Sequence, residues 1–430
     1  MHRQTTNTGG VTTTSHRIVL PFYLYAALAF LVSTVLLLLS ANEIANHYFQ
    51  PHTLAIIHIM ALGWGTMIIL GSGHQLAPVL IEGKLFSDKL AYTSFVLSAV
   101  GIPLLAYGFY VFDMGWPAKW GGRLVILSIL AYVVNLTISM VKCKRKNIHA
   151  IYLLTAVIWL LATALVGLML VYNFKISILP ANSVDYLPLH AHIGIIGWFL
   201  LLIVGVASRL IPMFLISKYH NVKTLWWIYG LINSGLLTFI YIFINTSIRS
   251  LLFLPLILVS VAIILFINYC YRSYIQRIRT KVDEQMKLTL FSVAILLSPV
   301  AFATVIILLS AISSEVNLRL VITYGFVIFF GWLTAIIMGI TFKTLPFIIW
   351  NKVYHDLAGK TTTPNPKDLF SSRVFRYMVL SYLPGFLIFF AGILLQYIVL
   401  LQTGAVLLIC TAAFYNFNVM KLLIHKSDRL

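Results

Sequence analysis

Among the histidines inside apolar segments that are long enough to cross a membrane, three lie close to one another along a span or at equivalent places of two spans: His58, His190 and His192. An imidazole is costly in such a segment, so it is usually hydrogen-bonded to another helix or bound to a metal. Neutral imidazole nitrogens bind iron, copper and zinc. These three residues are therefore candidate metal ligands, with hydrogen bonding between helices as the alternative.

The spacing of the histidines limits which of them can share a metal. His190 and His192 are two residues apart, which places their side chains about 200° apart around a helix, so they predict contributions to two sites. His74 follows His58 by sixteen residues, about 24 Å along a helix, and is too distant to share its metal. His52 is either an interfacial residue or a ligand of a second site.

The elements that must position these histidines are membrane helices. Of the 430 residues, 60% are hydrophobic and only 10% are charged, which excludes a soluble globular protein. We predict an all-α polytopic membrane protein, a single membrane domain over residues 1–430, with a polar N-terminus that is retained. Twelve apolar runs of membrane-spanning length lie near 17–41, 53–81, 88–111, 121–141, 149–172, 189–216, 223–246, 250–271, 287–312, 319–349, 376–399 and 403–424. The polar segment between Asn351 and Ser372 predicts a loop.

Basic residues are concentrated in alternate loops, which predicts the orientation. Loops on the side of the N-terminus carry Lys84, Lys89, Lys142, Lys144, Arg145, Lys146, Arg272, Arg277, Arg279, Lys281, Lys352, Lys360, Lys367, Arg373 and Arg376. The opposite loops carry few cations, such as Lys175, Arg249 and Arg319. The positive-inside rule therefore places both termini in the cytoplasm. The net charge of +19 reflects this topology, so we expect the lipid bilayer, and no nucleic acid, as a partner.

A pattern repeats three times along the chain. Gly-Trp pairs begin at Gly63, Gly197 and Gly331, at a constant offset of 134 residues, and glycines at 71, 205 and 339 and prolines at 78, 212 and 346 keep that offset. The offset predicts three pseudo-symmetric four-helix units, over approximately 17–141, 149–271 and 287–424. The second, sixth and tenth helices should then line the interior. The tryptophans should be structural, because the third unit keeps its tryptophan without a histidine.

The histidines fit this repeat unevenly. His58 and His192 occupy equivalent positions, and the third unit has Phe326 there. His190 aligns instead with Ile56 and Tyr324. Facing helices could present His58 and His192 to opposite faces of one haem iron. Because Cys143, Cys270 and Cys410 form no CxxC pair, any haem should be held without covalent attachment.

Two of the repeated segments resemble a known family. The run LHAHIGIIGW at 189–198 resembles the HxH-x4-GW haem-ligand helix of C-type haem-copper oxidases, and HIMALGWGTMIILGSGHQLAPV resembles helices of short, divergent subunit I homologues. That superfamily contains respiratory oxidases and nitric oxide reductases of the bacterial inner membrane. The resemblance implies a haem b held by His58 and His192, with His190 facing a second haem iron or metal if one is present.

The chain departs from the family pattern in two ways. The family's HxH motif lies on the tenth helix, whereas here it lies on the sixth, and the tenth carries Tyr324 and Phe326. A haem-copper centre also needs an adjacent His-His pair, which this sequence lacks, so copper is not expected. All eleven carboxylates fall in predicted loops or at span ends, which argues against a buried carboxylate proton relay and against pumping.

These observations leave three classes of function. The first is an oxidoreductase, or a subunit of one, that passes electrons to oxygen or nitric oxide and receives them from quinol, a cytochrome or a partner subunit. The second is a haem protein without turnover, acting as a sensor or in nitric oxide tolerance or metal handling. The third is a transporter, which the threefold repeat disfavours because transporter repeats are usually twofold.

Overall fold

The computed structural model describes residues 14–44, 47–80, 84–142, 147–313 and 317–426. Within these ranges the chain is helical, and twelve helices are long and apolar enough to cross a membrane. This confirms the predicted all-α architecture and number of spans. The helices are α1 (His16–Leu39), α2 (Pro51–Leu76), α3 (Asp88–Tyr110), α4 (Trp116–Val141), α5 (Ile148–Asn173), α6 (Ser183–Leu215), α7 (Val222–Asn245), α8 (Arg249–Ile275), α9 (Glu284–Ile312), α10 (Leu318–Leu357), α11 (Ser372–Leu395) and α12 (Ile398–Leu423).

One predicted boundary is wrong. The loop expected from Asn351 begins later, because α10 continues through Tyr354 and ends in a short 3-10 turn at Leu357. Tyr354 is buried and its hydroxyl lies 2.9 Å from Nε2 of His425, which explains why the polar segment stays helical. Several residues used in the sequence analysis lie outside the described ranges: Cys143, Lys144, Arg145 and Lys146.

The helices α2, α6 and α10 form the interior of the molecule. In the most apolar segments of α2, α6 and α10, 78%, 72% and 78% of the residues are buried. In every other span this share is at most 50%. The expectation that these three helices line the interior is confirmed. Glycines on each of them allow close packing against α1, α5 and α9, since a Cβ at Gly71, Gly205 or Gly339 would overlap Phe22, Tyr152 or Thr289.

Each of the three interior helices contains a π-helical segment. The segments are Ile59–Thr66, Ile193–Leu200 and Val327–Leu333, so their first residues follow the 134-residue offset. In a π-helix the hydrogen bonds run from i to i+5, and such segments are uncommon and often lie at functional sites. Each segment starts directly after His58, His192 or Phe326.

The indoles of the Gly-Trp pairs lie in the core between these helices. Trp64 Nε1 donates a hydrogen bond to Thr334 Oγ1 over 3.3 Å, and Trp198 Nε1 donates to Thr66 Oγ1 over 3.0 Å. Trp332 is also buried, but its Nε1 has no hydrogen-bond partner in the described part of the chain. Burial of all three indoles agrees with a packing role.

The remaining helices surround this interior. The pairs α3–α4, α7–α8 and α11–α12 pack along their lengths, and every span contacts the next one in the sequence. The last span also contacts the first, and Asn416 of α12 donates a hydrogen bond to the carbonyl of Ala27 in α1 over 2.8 Å. The helices therefore close on themselves around α2, α6 and α10.

Candidate functional site

A cavity of about 1000 Å³ lies among the helices, at the end of the molecule where α2, α6 and α10 begin. Its wall is mostly apolar, and its size is at the upper end of the range for cofactor and ligand pockets. The candidate histidines line it together with three further aromatic side chains: His58, His190, His192, Tyr324, Phe109 and Phe239.

Within the cavity, the histidine that faces His58 is His190. Their ring centroids are 6.2 Å apart and their planes lie within 15° of parallel. His58 comes from α2, just before its π-helical segment, and His190 from the first turns of α6. The structure therefore brings together two of the three predicted ligands, on neighbouring helices.

Backbone carbonyls fix both of these rings. His58 Nδ1 lies 2.7 Å from the carbonyl of Leu54, and His190 Nδ1 lies 3.1 Å from the carbonyl of Thr163. A carbonyl only accepts, so each Nδ1 carries the proton and each Nε2 keeps its lone pair. Neither Nε2 has a hydrogen-bond partner within the described ranges. Gly167 leaves room for the second ring, because a Cβ there would lie 2.7 Å from Cε1 of His190.

His192 belongs to a second pair, with Tyr324 of α10. The ring centroids are 5.9 Å apart and the planes are inclined by 23°. His192 Nδ1 donates to the carbonyl of Pro188 over 2.7 Å, so its Nε2 accepts the hydrogen bond from the Tyr324 hydroxyl over 3.3 Å. Unlike the first pair, this one is closed by a direct hydrogen bond.

The two pairs are related by the sequence repeat. Adding 134 to both residue numbers of the pair His58 and His190 gives the pair His192 and Tyr324. In each pair, the first residue also contacts an aromatic ring of the next helix. The ring centroids of Phe109 and His58 are 4.5 Å apart, and those of Phe239 and His192 are 5.0 Å apart.

The third position of this series is apolar. Phe326 is the repeat equivalent of His58, and Ile56 is the equivalent of His190. Phe326 stacks with Phe330, Phe386 and Phe389 at centroid distances of 5.1, 5.4 and 4.7 Å. The molecule thus has a His–His pair, a His–Tyr pair and an aromatic cluster at repeat-equivalent places.

The sequence-based pairing of His58 with His192 differs from the pairing of the rings, for a physical reason. In a cyclic arrangement, equivalent residues each face the next unit rather than each other. His58 on α2 faces α6, so its equivalent His192 on α6 must face α10. The repeat alone was therefore enough to predict that His58 pairs with a residue of α6 and His192 with a residue of α10, and it would also have identified Tyr324.

Other histidines lie elsewhere. His52 stacks on Tyr110 with centroids 4.3 Å apart, and the buried ring of His74 contacts Phe22 and Tyr132. Among the residues that the structure describes, no group of three or more His, Cys, Asp or Glu side chains could hold a metal ion. Compared with known proteins, the chain matches no family model and no curated sequence.

Proposed function

We propose that the chain is a haem b-binding protein of respiratory electron transfer, in which His58 and His190 would hold the haem iron. The main support for this proposal is the distance between the two imidazole rings. Imidazole nitrogens bind metals at about 2 Å, so two imidazoles on opposite sides of one metal have centroids roughly 6 Å apart, and the observed distance is 6.2 Å.

The surroundings of the pair also fit a haem. Metal-bound histidines usually donate their second ring proton to a carbonyl or carboxylate, which fixes the ring and its tautomer. Leu54 and Thr163 provide such carbonyls. The apolar wall of the cavity excludes water from a planar, hydrophobic cofactor. When bound, haem b supplies a one-electron redox couple, while the chain holds and orients it.

The same proposal includes three four-helix units around a pseudo-threefold axis. The repeat-equivalent ring pairs and π-helical segments support it. The indole hydrogen bonds support it as well. Trp64 donates to Thr334, which lies two residues after Trp332, and Trp198 donates to Thr66, which lies two residues after Trp64. The equivalent acceptor for Trp332 would be residue 200, which is a leucine.

The resemblance to haem-copper oxidase subunit I supports a place in a bacterial inner membrane, and the distribution of basic loops supports cytoplasmic termini. We propose electron transfer to oxygen or nitric oxide within this setting. One observation favours the alternative of a haem sensor or a nitric oxide tolerance protein: the described ranges contain no group of three or more His, Cys, Asp or Glu side chains that could hold copper beside the haem.

A reduced-minus-oxidised visible spectrum of the purified protein, with a pyridine haemochrome assay, tests the proposal. We expect the sharp α and β bands of a six-coordinate haem b. Their absence from protein expressed with sufficient haem would overturn it. Supplying nitric oxide or oxygen together with an excess of a quinol donor separates the two functions, because only an enzyme then consumes either gas at a steady rate.

A further inference from the structure

The cavity does not end at the two histidines proposed to hold haem. It continues past His192 and Tyr324 to a wall formed by α8 and α9, where Leu256, Ala303 and Ile307 line it. This second part of the cavity is repeat-equivalent to the first, but its two ring residues bond to each other. It therefore calls for a different occupant.

The wall on this side is thin. Helix α9 is interrupted at Leu296, and of the following segment, Leu297–Ile312, only Pro299 is buried. Residues of this segment line the cavity on one side of the helix, whereas Val305, Leu308 and Leu309 are exposed on its surface. A single, weakly packed helix thus lies between the cavity and the surrounding lipid.

The polar groups in this part suit a neutral ligand. The Tyr324 hydroxyl is a donor and His192 Nε2 is an acceptor, and they lie 3.3 Å apart. Among the described residues that line the cavity, the charged ones are Asp185 and Arg249, and Arg249 donates to the carbonyl of Ser310 over 3.2 Å. A charged ligand would lose its hydration among the apolar residues at high cost.

We propose that this part of the cavity binds the head group of a quinol that enters from the bilayer past α9. One head-group oxygen would insert between His192 and Tyr324. In the quinol, its hydroxyl would donate a hydrogen bond to His192 Nε2; in the quinone, the carbonyl oxygen would accept one from the Tyr324 hydroxyl. The apolar tail would lie against α8 and α9. An acyl chain fits the same wall but makes no use of the polar pair.

This inference rests on the proposed function for its biological meaning, since a haem held by His58 and His190 would be the redox partner of the bound quinol. His190 and His192 are two residues apart on one helix, so the head group would lie close to the haem. Binding itself needs only the residues of this chain.

Equilibrium binding to the full chain in phospholipid nanodiscs tests the proposal, with ubiquinone-1 and menaquinone-1 as probes. We expect saturable binding that exceeds the partition of the quinone into empty nanodiscs. Quenching of tryptophan fluorescence measures it, because Trp198 and Trp332 line the cavity. Tyr324→Phe and His192→Phe should each weaken binding about tenfold, as for the loss of one hydrogen bond. Tyr241→Phe is the matched control, because Tyr241 is 67% exposed on α7.

The haem spectrum of the same preparations separates this inference from the proposed function. Haem bands without saturable quinone binding would overturn the quinol site alone. Quinone binding without haem bands would overturn the proposed function and leave the site standing. Binding that is equal in Tyr324→Phe, His192→Phe and wild-type protein would identify an acyl-chain cavity and also overturn the quinol site.

Discussion

The His58–His190 pair and the His192–Tyr324 pair have almost the same geometry, with centroids 6.2 and 5.9 Å apart. In both, a backbone carbonyl four residues earlier fixes the first ring. They differ in one side chain: the second pair is joined by a hydrogen bond, whereas in the first pair neither Nε2 has a hydrogen-bond partner among the described residues. A repeated backbone can thus present different polar groups at equivalent places when a single side chain differs.

The largest effect should separate the two pairs directly. His190→Ala should abolish the six-coordinate haem b spectrum, because it removes one of the two proposed ligands, whereas His192→Ala should leave that spectrum intact. Visible and electron paramagnetic resonance spectra of the purified variants measure this. If the six-coordinate spectrum were lost in His192→Ala only, the result would support His58 and His192 as the two ligands instead.

The second change should make the two pairs alike. Tyr324→His places a histidine opposite His192 and removes the hydrogen bond that closes the pair. We expect the haem content per chain to rise from one to two in the haemochrome assay. Phe326→His is the control, since its repeat partner is Ile56, whose side chain cannot bind a metal. An unchanged haem content in Tyr324→His would show that more than this residue distinguishes the pairs.

A smaller effect should come from crowding one ring. Gly167→Ala would bring a methyl group to 2.7 Å from Cε1 of His190, so the ring must shift. We expect haem affinity to fall on the order of tenfold, equivalent to about 1.4 kcal/mol. Gly230→Ala on α7 is the control, because a Cβ there meets nothing within 4 Å. Equal haem affinity in both variants would argue against His190 as a ligand.

The smallest effect tests the proposed pseudo-threefold axis. Leu200→Thr should give Trp332 Nε1 the acceptor that Trp64 and Trp198 already have. Because Leu200 is buried, the substitution also loses apolar packing. We expect its cost in the free energy of unfolding to be about 1 kcal/mol smaller in the wild-type background than in a Trp332→Phe background, where no indole can donate the new hydrogen bond. Thermal denaturation in detergent measures the difference, and an equal cost in both backgrounds would count against the symmetry.

Much of the fold was predictable because membrane spans depend mainly on length and apolarity. The interior helices followed from the repeated glycines and tryptophans. The π-helical segments were not predictable, since Ile59–Thr66 and its equivalents carry no residue type that distinguishes i to i+5 bonding from α-helix. The end of α10 was missed because hydropathy registers the polar residues after Trp350 but not the burial of Tyr354.

For the candidate site, the residue types were predictable and the partners were not. His58, His190 and His192 are conspicuous as polar residues in apolar runs. Which rings meet depends on the direction in which each helix faces its neighbour, and helical periodicity gives angles around one helix only. Tyr324 was overlooked as a site residue because a tyrosine in a membrane helix is common, and only its repeat relation to His190 marks it.

The contact between α12 and α1 has a consequence for how the chain can be connected. With an even number of spans, residue His16 and residue Leu423 lie at the same end of neighbouring helices. A short linker could therefore join Leu423 to His16, and the chain could be opened between α4 and α5, which would still contact each other through packing. We expect such a circular permutant to insert and to retain the wild-type haem spectrum, because the order of the helices around α2, α6 and α10 is unchanged.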